Sequence, residues 1–119
     1  MKRAEIAKAN QDLTGREPRD VLAWACDRFG ADRVGFATSL SAEDQVLTEA
    51  AAGLDPRPAI FTLDTGRLFP ETYDLIDATR ARYGVALEVL FPDRTDVEAM
   101  VAEQGVNLFY RSVDLRKRC

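Results

Sequence analysis

Apolar residues recur every three or four positions in the first thirty residues, which is the spacing of an amphipathic helix. This spacing predicts a first helix over Arg3–Leu13. A second helix is predicted to begin at Pro18, because proline suits the first helical position, and to end at Gly30. The apolar face of this second helix comprises Val21, Leu22, Ala25, Cys26 and Phe29.

Short apolar runs then alternate with helical patterns along the rest of the chain. The runs predict three buried strands, at residues 33–38, 58–63 and 85–90. The intervening and following patterns predict helices at residues 43–52, 70–83, 95–104 and 107–119. Thr95 and Glu98 have the spacing of a capping box at the start of the third of these helices.

This alternation of strands and helices predicts an α/β fold. Right-handed crossovers would give a parallel sheet with helices on both faces. In such sheets ligands bind beyond the carboxyl ends of the strands. The segments at residues 38–44, 63–70 and 91–95 are therefore the ones to inspect for a site.

Composition narrows the function classes. The chain has 119 residues, enough for one domain, and a formal net charge of −4, which argues against coating nucleic acid or anionic membrane. No apolar run approaches the roughly 20 residues of a membrane span, and no apolar segment follows the basic start as in a signal peptide. We therefore expect a cytoplasmic protein with no membrane or nucleic-acid partner. The sequence is compatible with a homo-oligomer.

Histidine is absent from the chain, and only two cysteines are present. A Ser-His-Asp triad, a Cys-His pair and an HExxH zinc site are therefore excluded. Two cysteines are also too few for a disulfide scaffold. Cys26 lies on the apolar face of the second helix and is expected to be a core residue.

The loop after the first strand is a candidate anion site. Ser39 and Ser41 offer hydroxyl donors, and backbone amides up to Asp44 lie at a helix N-terminus, where the dipole favours an anion. Lacking glycine and lysine, the loop suits one phosphate-like group at most. The structural alternative is a helix cap made by Ser41 with Asp44. The candidate residues are Ser39, Leu40, Ser41, Ala42, Glu43 and Asp44.

The loop after the second strand is less ordinary. Gly66 allows a tight turn, and Arg67 places a cation suited to phosphate or sulfate at the strand tip. A plain strand–turn–helix connection is the alternative, but a carboxylate ending a buried strand is costly without a partner, and a turn does not need the arginine. Leu63 and Leu68 could provide apolar walls on the two sides of an adenine. The candidates are Leu63, Asp64, Thr65, Gly66 and Arg67.

Together the two loops resemble those of a known family. From about Phe36 onwards, the chain is similar to the N-terminal part of the assimilatory adenylylsulfate and phosphoadenylylsulfate reductases. The segments that carry this resemblance are residues 39–45, 63–72, 107–110 and 115–119. The first segment is a degenerate form of the SGGxDS loop of ATP pyrophosphatases.

The resemblance implies an adenine nucleotide alpha-hydrolase-like fold, related to the PP-loop proteins, and a function. That function is the reduction of adenylylsulfate to sulfite and AMP, with thioredoxin supplying electrons. By position, Ser39–Asp44 would hold the phosphosulfate side, and Leu63–Arg67 the adenosine. In the family a cysteine thiolate attacks the sulfate sulfur, AMP leaves, and thioredoxin then releases sulfite.

Cys119 matches the place where adenylylsulfate-type enzymes carry a ligand of a [4Fe-4S] cluster. The resemblance therefore implies one metal ligand here, and it favours adenylylsulfate over phosphoadenylylsulfate as substrate. The other cluster cysteines and the nucleophilic cysteine would lie beyond residue 119, so no catalytic residue is expected within the chain.

We thus expect a partial sulfonucleotide reductase domain that is inactive alone. Residues 1–30 would be N-terminal helices, and residues 31–119 the first part of the nucleotide-binding α/β core, incomplete at its C-terminus. Such an incomplete domain is expected to leave sheet edges or helix faces uncovered.

Two alternatives stay open. One is an adenine-nucleotide-binding PP-loop module, or an ATP pyrophosphatase-type adenylating enzyme, against which the missing SGGxDS sequence and lysine speak. The other is a non-catalytic remnant.

Overall fold

Three short parallel strands form the centre of the protein. The computed structural model describes all 119 residues. The strands are β1, Gly35–Ala37; β2, Ala59–Leu63; and β3, Leu87–Leu90. They pair in parallel in the order β1-β2-β3. All three predicted strands are confirmed, but each is shorter than predicted, and residues 31–33 form a 3₁₀ turn before β1.

Seven helices surround or follow the strands. Those before the last strand lie close to the predicted bounds: α1, Arg3–Leu13; α2, Pro18–Phe29; α3, Ala42–Ala52; and α4, Pro70–Tyr83. After β3 come α5, Arg94–Gln104; α6, Leu108–Arg111; and α7, Val113–Arg118. No helix is long and apolar enough to cross a membrane.

The helix predicted over residues 107–119 is two short helices. Ser112 has an extended backbone, with φ −151° and ψ 135°, which ends α6. Its side chain accepts a hydrogen bond from the backbone N–H of Leu115 at 3.4 Å and so caps α7. A serine in this role favours a helix start over a helix interior.

One face of the sheet packs against helices. Ile60 of β2 and Leu87 of β3 are paired in register and lie in a core cluster with Ala51 of α3 and Ile76 of α4. The two helices contact each other, and α2 packs on α3. The buried Cys26 on α2 is confirmed as a core residue. The predicted α/β class with a parallel sheet is therefore confirmed.

The other face of the sheet has little cover. Side chains alternate along a strand, so the neighbours of the buried positions point the opposite way. Among these, Leu63 is 64% exposed and Leu90 is 42% exposed, while Phe61 is half-buried. Helices were predicted on both faces of the sheet, and the helices of this chain bury one of them.

A second, smaller core lies among the helices that follow β3. Met100 of α5 packs with Leu108 and Phe109 of α6, and Leu115 and Cys119 border this cluster. The last third of the chain therefore has an apolar centre separate from that of the sheet.

The predicted capping box at Thr95 is wrong. Asp93 caps α5: its Oδ1 accepts hydrogen bonds from the N–H of Thr95 at 2.8 Å and of Asp96 at 3.3 Å. Glu98 instead accepts from Nε of Arg94 at 2.9 Å on the helix surface. The helix begins one residue earlier than predicted because the aspartate reaches two free amides at once.

The Asp93→Ala variant is expected to lose about 1 kcal/mol of unfolding free energy, because it leaves two first-turn amides without their acceptor. Thr95→Ala is the matched control, with an expected loss within about 0.5 kcal/mol. Urea denaturation of both variants measures the difference. A larger loss in Thr95→Ala than in Asp93→Ala would restore the capping box.

Candidate functional site

A cavity of about 410 Å³ opens where β1 and β2 end. Because the two strands pair in parallel, their carboxyl ends lie side by side. Thr38, Ser39 and Leu40 line one side of the cavity. Thr62, Leu63 and Leu68 line the other. The structure therefore brings together two of the predicted residues of the first loop and one of the second, along with Leu68.

The turn that leaves β1 is held in an uncommon conformation. Leu40 has φ 64°, the left-handed region that residues other than glycine seldom adopt. Its N–H donates to Oγ1 of Thr38 at 3.0 Å, and its side chain is buried in the main core. Burial and this hydrogen bond hold the strained residue, and the turn leaves Ser39 at the cavity wall.

An internal carboxylate occupies the donors of the first loop. Both the backbone N–H and the hydroxyl of Ser39 donate to Oδ2 of Asp44, the hydroxyl at 2.6 Å. Hydrogen bonds from the Ser39 side chain, and then from its backbone, hold the pKa of Asp44 below its ordinary value. Ser41 caps α3 by accepting from the N–H of Asp44 at 3.4 Å, as the structural alternative predicted.

Two first-turn amides of α3, those of Ala42 and Glu43, have no hydrogen-bond partner in the protein. They are the donors of this loop that remain free for an anion. An anion there would meet the negative charge of Asp44, which already sits on Ser39. The predicted role of the loop in holding the phosphosulfate stays a prediction.

The second loop is organised around Asp64, which is 3% exposed. Its Oδ1 accepts hydrogen bonds from the N–H of Gly66 at 2.6 Å and from the hydroxyl of Tyr73 at 3.1 Å. The hydrogen-bond partners that this buried carboxylate requires are therefore groups of the protein itself. Gly66 has φ 80°, which fits the tight turn predicted there. Burial, reinforced by the hydrogen bond to Asp64, raises the pKa of Tyr73.

The residues predicted together on this loop face two different cavities. Leu63 and Leu68 line the first cavity, whereas Thr65 and Arg67 line a second one of about 280 Å³. The Arg67 guanidinium carbon lies 3.8 Å from the centre of the Phe109 ring. This stacking joins the loop to the small core of α5–α7.

Sequence reasoning missed several residues around these cavities. No motif indicated the hydrogen bond between Tyr73 and Asp64 or the position of Arg116 at the second cavity. Phe109 is buried in the small core, whereas the adjacent Tyr110 is 82% exposed. Only Tyr73 could have been found from the sequence, because it lies one turn into the helix that follows the buried carboxylate and carries a hydroxyl donor.

The cysteines do not form a metal centre within this chain. No three side chains of the metal-ligating types lie together. A [4Fe-4S] cluster takes four cysteine thiolates, whereas the chain has two cysteines: Cys26 is buried on α2, and Cys119 borders the small core of α5–α7. These residues therefore do not by themselves fit such a cluster, and the role of Cys119 as one ligand stays a prediction.

Comparison with known proteins identifies the family of this chain. Residues 33–119 match the family described as the phosphoadenosine phosphosulfate reductase domain. The chain belongs to this family. The division into N-terminal helices over residues 1–30 and an α/β core from residue 31 stays a prediction.

Several relatives are named as reductases of adenylylsulfate. The adenosine 5'-phosphosulfate reductase of Burkholderia cepacia is 49% identical over 88 residues, which cover 74% of this chain and 35% of the relative. That of Agrobacterium fabrum is 41% identical over 117 residues, covering 98% and 44%. The probable 5'-adenylylsulfate reductase 1, chloroplastic, of Oryza sativa is 44% identical over 101 residues, covering 84% and 21%. The chain thus spans less than half the length of these relatives.

The Ser39→Ala variant is expected to raise the pKa of Asp44 towards its ordinary value of 3.8. The rise is incomplete because the Ser39 N–H remains. A carboxyl whose folded pKa is depressed stabilises the fold above its unfolded pKa, and this stabilisation is lost as the pH falls through the folded pKa. Carboxyl NMR titration measures the shift. Ser41→Ala is the control, and an unchanged pKa in Ser39→Ala would contradict the assignment.

Proposed function

We propose that this chain is the nucleotide-binding part of an enzyme that reduces adenylylsulfate to sulfite and AMP, with thioredoxin as electron donor. The cavity between the ends of β1 and β2 carries this proposal. Its position is where parallel α/β sheets bind ligands. The names of the relatives support the choice of substrate.

The cavity suits an adenosine. Leu63 and Leu68 offer apolar surface for the flat faces of a purine, and Thr38 and Thr62 add hydroxyl groups on the floor. The volume of about 410 Å³ lies within the usual range for small-molecule sites. Leu63 is largely exposed, so a bound base would remove its apolar surface from water.

The predicted substrate-binding residues are retained in this proposal as two sides of one site. Ser39–Asp44 form the side that follows β1, and Leu63–Arg67 the side that follows β2. The tight turn tied by Asp64 separates the residues that face the adenosine cavity from Thr65 and Arg67. The buried carboxylate acts by shaping the loop, since its Oδ1 is engaged within the protein.

The reaction needs a thiolate nucleophile that this chain does not place at the cavity. The thiolate attacks the sulfur, AMP leaves, and a dithiol then gives two electrons to release sulfite and becomes a disulfide. Burial raises the pKa of Cys26, with Asp27 adding to the effect, so that thiol is a poor nucleophile. Cys119 borders the small core of α5–α7 instead. We therefore propose that the chain binds substrate and leaves the attack to a cysteine outside it.

We also propose Cys119 as one of four thiolate ligands of a [4Fe-4S] cluster, the other three lying outside these 119 residues. Three basic residues precede it in the last turn of α7, and their charge would balance that of a ligating thiolate. We further propose that the protein is located in the cytoplasm.

Leu63→Ala is expected to weaken binding of adenosine by about tenfold, which corresponds to about 1.4 kcal/mol. The reason is that the variant removes one apolar wall of the cavity. Amide NMR titration of the 119-residue chain with adenosine gives the affinity. Leu75→Ala, on the surface of α4 and away from the cavity, is the matched control. Equal binding by Leu63→Ala and the unaltered chain would refute the cavity as the adenosine site.

A chimaera can test the reaction and the metal ligand. In it, this chain replaces the matching part of the Burkholderia cepacia relative. We expect sulfite release from adenylylsulfate with reduced thioredoxin, and none from the 119-residue chain alone. Cys119→Ser in the chimaera is expected to lower its iron content, whereas Cys26→Ala, the control at the buried cysteine of α2, is expected to keep it. Iron content unchanged in Cys119→Ser would remove the proposed ligand.

A further inference from the structure

We propose that the second cavity is an oxyanion subsite, which binds the phosphate or sulfo group of the ligand between Arg67 and Arg116. This inference rests on the proposed function and extends it, because it says which side of the site receives the negative charge. It also assigns Phe109 as a positioning residue that orients Arg67. Neither Phe109 nor Arg116 was among the predicted substrate-binding residues.

The cavity is made by two parts of the chain that are distant in sequence. Thr65, Arg67 and Phe69 come from the loop after β2. Phe109, Tyr110 and Arg116 come from α6 and α7. It has a volume of about 280 Å³, ample for a tetrahedral oxyanion. Its wall contains two guanidinium groups and no carboxylate.

Neither arginine has a carboxylate partner elsewhere. The three ion pairs of the protein join Lys8 to Asp12, Arg94 to Glu98, and Arg118 to Glu103. In a chain of net charge −4, two unpaired guanidinium groups on one cavity form a local excess of positive charge. Arginine also suits this role because its planar fork can donate two parallel hydrogen bonds to phosphate or sulfate.

The stacking on Phe109 fixes how Arg67 can donate. The ring lies under the face of the guanidinium, at 3.8 Å from ring centre to guanidinium carbon, and Phe109 is only 6% exposed. The ring is itself held by Met100 and Leu108. One hydrogen bond, from Nη1 to the Thr65 carbonyl, is long at 3.4 Å. The remaining N–H groups at the edge of the guanidinium are free to donate to a ligand.

The loop after β1 is a poorer place for the same charge. Asp44 already accepts both donors of Ser39, and Glu43 adds a second carboxylate to the first turn of α3. An oxyanion placed there would face two negative side chains, whereas one in the second cavity would face two positive ones. The electrostatics therefore favour the Arg67 side.

The test is an amide and arginine side-chain NMR titration of the 119-residue chain with sodium sulfate and with sodium phosphate, against sodium chloride at equal ionic strength. Both oxyanions are expected to shift the Nε–H signals of Arg67 and Arg116, and chloride is not. Arg67→Gln and Arg116→Gln are each expected to weaken this binding at least tenfold. Arg94→Gln, a surface arginine on α5, is the control and is expected to have no effect.

The positioning role of Phe109 has its own variants. Phe109→Tyr keeps a ring under the guanidinium and is expected to retain binding, whereas Phe109→Leu is expected to weaken it severalfold. Arg67→Lys keeps the charge without the planar fork and is also expected to weaken binding, a result that holds even if Phe109→Leu does not fold. Undiminished oxyanion binding in Arg67→Lys, or in a folded Phe109→Leu, would refute the orientation argument.

Two further measurements separate this proposal from its rivals. If the oxyanions shift Ala42 and Glu43 instead, and Asp44→Asn strengthens their binding, the site lies at α3 and the proposal is overturned. Absence of any shift specific to sulfate or phosphate overturns it as well. Adenosine carries no oxyanion, so its binding is expected to survive Arg67→Gln. If the unaltered chain does not bind adenosine, the adenosine cavity is refuted, while the result for the oxyanions is unaffected.

Discussion

The buried carboxylate of Asp64 is the constraint on which the candidate site depends. Placed at the end of the central strand, it must find donors, and it takes them from Gly66 and Tyr73. Those two hydrogen bonds bend the loop back on itself and tie it to α4. As a result Leu63 and Leu68 face one cavity, while Thr65 and Arg67 face the other. The course of this loop between the two cavities therefore depends on satisfying one buried carboxylate.

The two loops handle negative charge in opposite ways. The loop after β1 carries its own anion, since Asp44 sits on the donors of Ser39, with a pKa held low by those hydrogen bonds. The loop after β2 carries a cation that is supported from below by an aromatic ring and has no carboxylate partner. The donors of Ser39 at the end of β1 are therefore already engaged within the protein, whereas the proposed oxyanion subsite at the end of β2 contains a cation without a carboxylate partner.

Local patterns predicted most of the elements, and tertiary contacts account for what they missed. Helical and strand periodicity located all three strands and five helices, because each pattern lies within one short segment. The cap at Asp93 was missed because two neighbouring polar residues competed for that role, and Thr95 completed a familiar motif. The division of Leu63–Arg67 between two cavities was not predictable, because it depends on Phe109 arriving from some forty residues later.

The central position of β2 has a consequence for the cooperativity of the fold. With the order β1-β2-β3, both outer strands have one unpaired edge. Only β2 has a strand on each side, and its residues Ile60 and Phe61 pair with both neighbours. Local opening of either outer strand thus breaks a single ladder, whereas opening of β2 breaks two. The strand whose following loop lines both cavities is accordingly the one whose movement disrupts the most strand pairing.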